Sequence, residues 1–216
     1  MEKIAVVLSG SGVYDGSEIH EAVLSLYAIQ KAGASYSIFA PDIPQHHVIN
    51  HITGQEMPES RNVLVESARI ARGKISPLSE FDADKFDALL FPGGFGAAKN
   101  LSSFAFDGAE CNVNEDVSIA INAMLEQNKP IGALCISPVI FAKVIGNNVD
   151  LTIGTDRGTA QAINSMGASH KNTDHGEIIY DRKFKVVTTP CYMLDATIEQ
   201  IGLGAENVVN KLIDLI

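Results

Sequence analysis

Apolar residues along this chain return in two rhythms, and the alternation between them predicts the architecture. Ile4-Ala5-Val6-Val7-Leu8 is a continuous apolar run, the mark of a strand buried on both faces. A glycine-rich segment from Ser9 to Ser17 follows it. Apolar positions then recur at helical spacing, at Ile19, Ala22, Val23, Leu26 and Ile29. This predicts a helix capped by Ser17, running to about Lys31 and ended by Ala32-Gly33. Ser35 to Ala40 is the next strand, so the chain opens as a βαβ unit and a parallel sheet is expected.

The same reading continues to the far end. Arg61–Arg72 and Val113–Gln127 have helical periodicity, and Phe86–Phe91 and Ile131–Cys135 are apolar strands. A helix is expected over Ile136–Val144, a short strand at Leu151–Gly154 and another helix at Thr159–Met166. Glu177–Tyr180 and Phe184–Thr189 flank an Asp181-Arg182 turn, which predicts a hairpin. Leu194–Ile216 is a long amphipathic helix, expected to break around Gly202 and Gly204. With no repeat, linker or low-complexity tract, the expectation is a single domain over 1–216: an α/β doubly wound, mainly parallel sheet with helices on both faces and one antiparallel hairpin.

Composition narrows the partners. The 216 residues are 46% hydrophobic with a net charge of −10, which argues against a nucleic-acid surface or an anionic membrane. The odd, widely spaced Cys111, Cys135 and Cys191 form neither a disulfide framework nor a zinc pattern and fit a reducing compartment. The chain begins a strand almost at once, without a basic-then-apolar leader, so a cytoplasmic location is expected.

Candidate chemistry centres on Lys129-Pro130-Ile131-Gly132-Ala133-Leu134-Cys135-Ile136-Ser137-Pro138. A buried strand stops at Cys135 and turns directly into a helix, with Pro138 suited to the first turn. A nucleophile elbow has this construction, and the helix N-terminus favours thiolate. A thiol so placed is either a reactive group or a buried structural cysteine. In a parallel sheet the loops Gly10–Gly16 and Pro92–Gly96 should open on the same rim as Cys135. The Gly93-Gly94 amides could hold an oxyanion beside the thiol, or simply form a tight turn. Glu18 and Glu21 share roughly one face of the first helix and could move protons, while His20 points elsewhere and reads as a flanking residue. His46, His47 and His51 read as surface histidines, and no metal is expected. Gly10-Ser11-Gly12 lacks the third glycine and the acidic residue of a dinucleotide site, and no cofactor is expected.

Four runs resemble the ElbB family. They are Leu8–Glu21, Phe91–Leu101 (Phe-Pro-Gly-Gly-Phe-Gly-Ala-Ala-Lys-Asn-Leu), Leu151–Asp156 and Val187–Leu194. That family belongs to the PfpI-like superfamily, related to class I glutamine amidotransferases, and the resemblance implies a flavodoxin-like sheet. Its bacterial members are described as isoprenoid-biosynthesis proteins and as glyoxalases that convert glyoxal to glycolate without glutathione. Carried onto this chain, the resemblance puts the nucleophile at Cys135 and its acidic partner at Glu21, with Glu18 as the alternative. Oxyanion and substrate contacts fall on Gly93, Gly94 and the Ile136 amide. Related glyoxalases carry a histidine where this chain has Thr155-Asp156, and Asp156 is placed among the substrate contacts. Amidotransferases want a glycine where Ser137 stands, and a catalytic histidine downstream.

The resemblance therefore implies a cofactor-independent, lyase-type glyoxalase acting on small dicarbonyls, and a homodimer. Two other readings stand beside it. One is a non-enzymatic oxidation sensor working through Cys135; the other is an amidotransferase-like accessory protein of isoprenoid biosynthesis, disfavoured by the missing histidine.

Overall fold

The computed structural model describes residues 1–216. Its central sheet has seven strands, in the order β3-β2-β1-β4-β5-β9-β8. These are β1 (Lys3–Val7), β2 (Ser35–Ala40), β3 (Ser76–Pro77), β4 (Ala88–Phe91), β5 (Ile131–Leu134), β8 (Ile179–Asp181) and β9 (Val186–Thr189). All neighbours pair parallel except β8 and β9, the expected hairpin. Strands β6 (Asp150–Leu151) and β7 (Ser169–His170) form a separate parallel pair, so the Leu151 segment stands outside the main sheet.

Period-two alternation divides the core. Ile4, Val6, Leu8, Ala88, Leu90 and Val187 face one layer, with α1 (Ile19–Lys31) and α8 (Ile198–Asp214). Ala5, Val7, Leu89, Phe91, Ile131 and Ala133 face the other. That layer holds α5 (Glu115–Glu126), α6 (Pro138–Ile145) and α7 (Arg157–Ser165). Helix α2 (Val63–Ile70) packs beside β2, and the short α3 (Phe95–Lys99) and α4 (Phe104–Asp107) fill the segment after β4. The doubly wound, flavodoxin-like expectation is met.

Two local expectations are corrected. Glu18, not Ser17, caps α1: its Oε2 accepts from the Glu21 N–H at 2.7 Å, while Ser17 Oγ accepts from Ser9 N–H at 2.8 Å. Helix α8 runs unbroken through Gly202 and Gly204. Gly204 allows close approach to β9: a Cβ there would sit 3.1 Å from Thr189 Oγ1. Helices α3 and α4 occupy a stretch whose glycines and aromatics carry no long helical period.

Candidate active site

The loops after β1, β4, β5 and β9 meet at the carboxyl ends of their strands, where open parallel sheets place their sites. Cys135 is the first residue beyond β5 and has φ 60°, a left-handed conformation that a side chain adopts only under constraint. The constraint is visible on both sides. Its N–H donates to Thr189 O at 3.0 Å, and Ser137 Oγ reaches Pro92 O at 2.7 Å, tying the turn to the loop after β4. Pro138 then opens α6.

Glu21 lies on the inner face of α1 and is completely buried. Its Oε2 accepts from the Gly93 N–H at 2.9 Å and its Oε1 from the Tyr192 N–H at 3.2 Å. The carboxyl also stands beside the Cys135 thiol, close enough for each to shift the other's ionisation. Gly93 is the residue that permits this meeting: a Cβ there would overlap Cys135 Cβ and lie 2.6 Å from Glu21 Oε2. Gly94 has φ 99°, and a Cβ would overlap the Glu18 backbone N. The amides of Gly94 and Ile136 lie beside the Cys135 sulfur, and neither donates to a backbone carbonyl.

Burial dominates the electrostatics. It pushes the Glu21 carboxyl up to about 8 from the ordinary 4.5, with the negative charge of Glu18 adding to the effect. The N–H groups of Tyr192 and Gly93 and the thiol pull the other way. Burial also raises the Cys135 thiol, and the Glu21 charge adds to this; the Gly94 and Ile136 amides oppose it. The helix terminus thus does not produce the low thiol pKa that the sequence suggested. Two adjacent groups that both resist ionisation behave as one proton-holding pair.

Sulfur and cavity meet at one wall. Cys135, Gly94, Ile136 and Tyr192 line a hollow of about 270 Å³ with Val13, Phe95, Ala98, Phe104, Ala105, Thr159 and Met193. A larger groove of about 560 Å³ around Tyr36, Arg72 and Lys74 holds no cysteine.

The structure brings together Cys135, Glu21, Gly93, Gly94 and Ile136. It does not bring in the other two named carboxylates. Glu18 is occupied as a helix cap, and Asp156 is exposed, accepts from Thr159 N–H at 2.8 Å at the start of α7 and does not line the cavity. His20, read as flanking, places Nδ1 2.8 Å from the Tyr192 hydroxyl. Tyr192 itself was missed. Its hold on Glu21 runs through a backbone amide, which no side-chain pattern reports. His46 and His47 pack on Phe106, and His51 stacks on Tyr14.

The sequence matches no protein-family profile. It is 48% identical over 223 residues to human "Glutamine amidotransferase-like class 1 domain-containing protein 3, mitochondrial", covering 99% of this chain and 83% of that protein. The chain belongs to this amidotransferase-like class 1 family. Another member, the zebrafish (Danio rerio) "ES1 protein, mitochondrial", is 38% identical over 207 residues, covering 88% of this chain and 76% of its own. Among solved structures, an isoprenoid biosynthesis protein with an amidotransferase-like domain from Ehrlichia chaffeensis matches with TM-score 0.93 and 32% identity, covering 100% of this chain and 99% of its own. Glyoxalase III from Candida albicans shares the fold, with TM-score 0.63 and 14% identity over 100% and 97% of the two chains. The ElbB-type, amidotransferase-like resemblance is therefore borne out. The cytoplasmic expectation is not, since the curated relatives from human, rat and zebrafish are named as mitochondrial. Free thiols report a reducing interior and do not say which one. No helix of this family member is long and apolar enough to cross a membrane.

Proposed function

We propose that this chain is a cysteine-dependent, glutathione-independent glyoxalase that converts glyoxal-type dicarbonyls to hydroxy acids, and that it works in the mitochondrion like its named relatives. One observation carries the reading: the Cys135 sulfur and the buried Glu21 carboxyl meet across Gly93, beside the Gly94 and Ile136 amides, which donate to no backbone carbonyl and can receive an oxyanion.

The chemistry follows from those positions. Cys135 sulfur adds to one aldehyde carbon of glyoxal as its proton passes to the Glu21 carboxylate. The new oxyanion rests on the Gly94 and Ile136 amides, then takes that proton to give a hemithioacetal. Glu21, again a carboxylate, removes the C–H proton and returns it to the neighbouring carbon through an enediol. The product is a thioester of glycolate, which water cleaves to glycolate and free thiol. Overall, glyoxal plus water gives glycolic acid, with no net redox change. A carboxyl titrating near neutrality suits a group that must both take and give a proton.

Glutamine hydrolysis would want a histidine on the thiol; His20 is held by Tyr192 instead. A homodimer is supported by Ile19, Val23 and Tyr27, which set an exposed apolar stripe along α1.

The deciding assay incubates purified protein with glyoxal and measures glycolate. Formation by wild type and its loss in Cys135→Ser is the expected outcome. Equal glycolate from both proteins would sink the proposal.

A further inference from the structure

The cavity over Cys135 is larger and drier than glyoxal requires. Its volume is about 270 Å³, close to the roughly 300 Å³ at which small-molecule sites begin and far above the roughly 10–15 Å³ that admits one water. None of its lining residues is charged, and only Thr159 and Tyr192 bring hydroxyls. Val13, Phe95, Phe104, Ala105 and Met193 give it apolar walls. Glyoxal has four heavy atoms and no apolar surface to offer these side chains.

Resting on the glyoxalase reading, we propose that the preferred substrates are uncharged 2-oxoaldehydes carrying an apolar alkyl or aryl tail. The aldehyde carbon meets Cys135 sulfur, and the tail fills the space between Phe95, Phe104 and Met193. A charged tail is rejected for two reasons. No cation lines the cavity to pair with an anion, and Glu18 and Glu21 stand behind it in a chain of net charge −10. The same absence leaves nothing to hold the two carboxylates of a glutathione adduct. The reaction keeps its balance: R–CO–CHO plus water gives R–CH(OH)–COOH. Sulfur bonds to the aldehyde carbon, the aldehyde C–H proton moves to the ketone carbon, and water breaks the thioester.

Transfer of each tail methylene out of water should raise kcat/KM by roughly three- to fourfold. The test compares glyoxal, methylglyoxal, 2-oxohexanal, phenylglyoxal and a 2-oxoaldehyde ending in a carboxylate, measuring hydroxy-acid formation with wild type. From methylglyoxal to 2-oxohexanal, three methylenes longer, kcat/KM should climb roughly thirtyfold or more, and the carboxylate-ended compound should fall below methylglyoxal. Ala105 is exposed on the cavity wall, so Ala105→Phe occupies tail space without entering the core. It should lower kcat/KM for 2-oxohexanal about tenfold more than for glyoxal. A flat or falling alkyl series with glyoxal still consumed overturns the substrate class and leaves the glyoxalase reading standing. Turnover of the carboxylate-ended compound equal to that of 2-oxohexanal also overturns it. If no 2-oxoaldehyde is consumed, both readings fall together.

Discussion

Two cysteines lie at the ends of adjacent central strands, Cys135 after β5 and Cys191 after β9, alike in burial and backbone conformation and different in what surrounds the sulfur. Both have positive φ, 60° and 42°, and both are nearly inaccessible, at 7% and 4% exposure. Burial and the Glu21 charge raise both thiols. Only Cys135 has compensation, from the Gly94 and Ile136 amides at its sulfur, and only Cys135 has a cavity in front. Cys191 faces α8, where its sulfur would lie 3.2 Å from a Cβ on Gly204, and no donor opposes its desolvation. Neither depth nor backbone strain therefore marks a reactive thiol in this fold. The donors that would receive a negative charge do.

The largest expected effect breaks that pair apart. Cys135→Ala should abolish hydroxy-acid formation, while Cys191→Ala should keep kcat/KM within about threefold and lower stability by roughly 1 kcal/mol through lost packing. Steady-state kinetics and denaturant melts of the two variants decide it. If both variants lose turnover, the two thiols act together and the contrast fails.

Glu21 touches both sulfurs electrostatically, so it gives the next test. Glu21→Gln should cost about 10²–10⁴ in kcat, the usual worth of a positioned general base. In wild type, kcat should rise with pH through about 8 as the carboxyl ionises. Stability runs the opposite way. The folded carboxyl has its pKa raised from 4.5 to about 8, so between those values the native state holds a proton that the unfolded chain has released. The contribution of Glu21 to stability is then fullest below 4.5 and falls by roughly 1.4 kcal/mol per pH unit toward 8. The Gln variant turns an NH₂ toward one of the Gly93 and Tyr192 N–H donors, so it starts lower, but it should lack this slope. A wild-type melt series flat across that range would show that Glu21 ionises normally.

How much of this was legible before the structure depends on what each feature is made of. The strands, the bend at Cys135 and the inward phase of Glu21 are carried by side-chain pattern: unbroken apolar runs, Pro138 at the first turn, and apolar spacing on α1. The hold on Glu21 is carried by backbone amides, one of them 171 residues away, and no residue type encodes it. Glu18 and Glu21 look alike as letters; only the geometry of the first turn makes one a cap and the other a buried partner. The thiol's pKa was misjudged because a helix terminus is visible in sequence and the depth of burial is not. Asp156 was assigned by position in a resemblance, and its carboxylate is taken up by the start of α7.

The smallest effect probes the quiet cysteine through the glycines of α8, whose expected break is absent. Nothing lies closer than 4.0 Å to a Cβ on Gly202, where Leu24 Cδ2 is the neighbour. Gly202→Ala should therefore stabilise by about 0.5–1 kcal/mol, the ordinary helix preference for alanine. Gly204→Ala gains the same preference and meets Thr189 Oγ1 at 3.1 Å and Cys191 Sγ at 3.2 Å. Thr189 cannot give way readily, because its hydroxyl donates to Glu177 O at 2.8 Å from inside β9. The sulfur has no such bond and is the softer neighbour. In wild type the gain at Gly204 should be cancelled or reversed, and in a Cys191→Ala background part of it should return. Thermal melts of the four proteins in this cycle measure the coupling directly. A Gly204→Ala effect equal in both backgrounds would mean that Thr189, not Cys191, sets the packing under α8, and that the second cysteine is silent in structure as well as in chemistry.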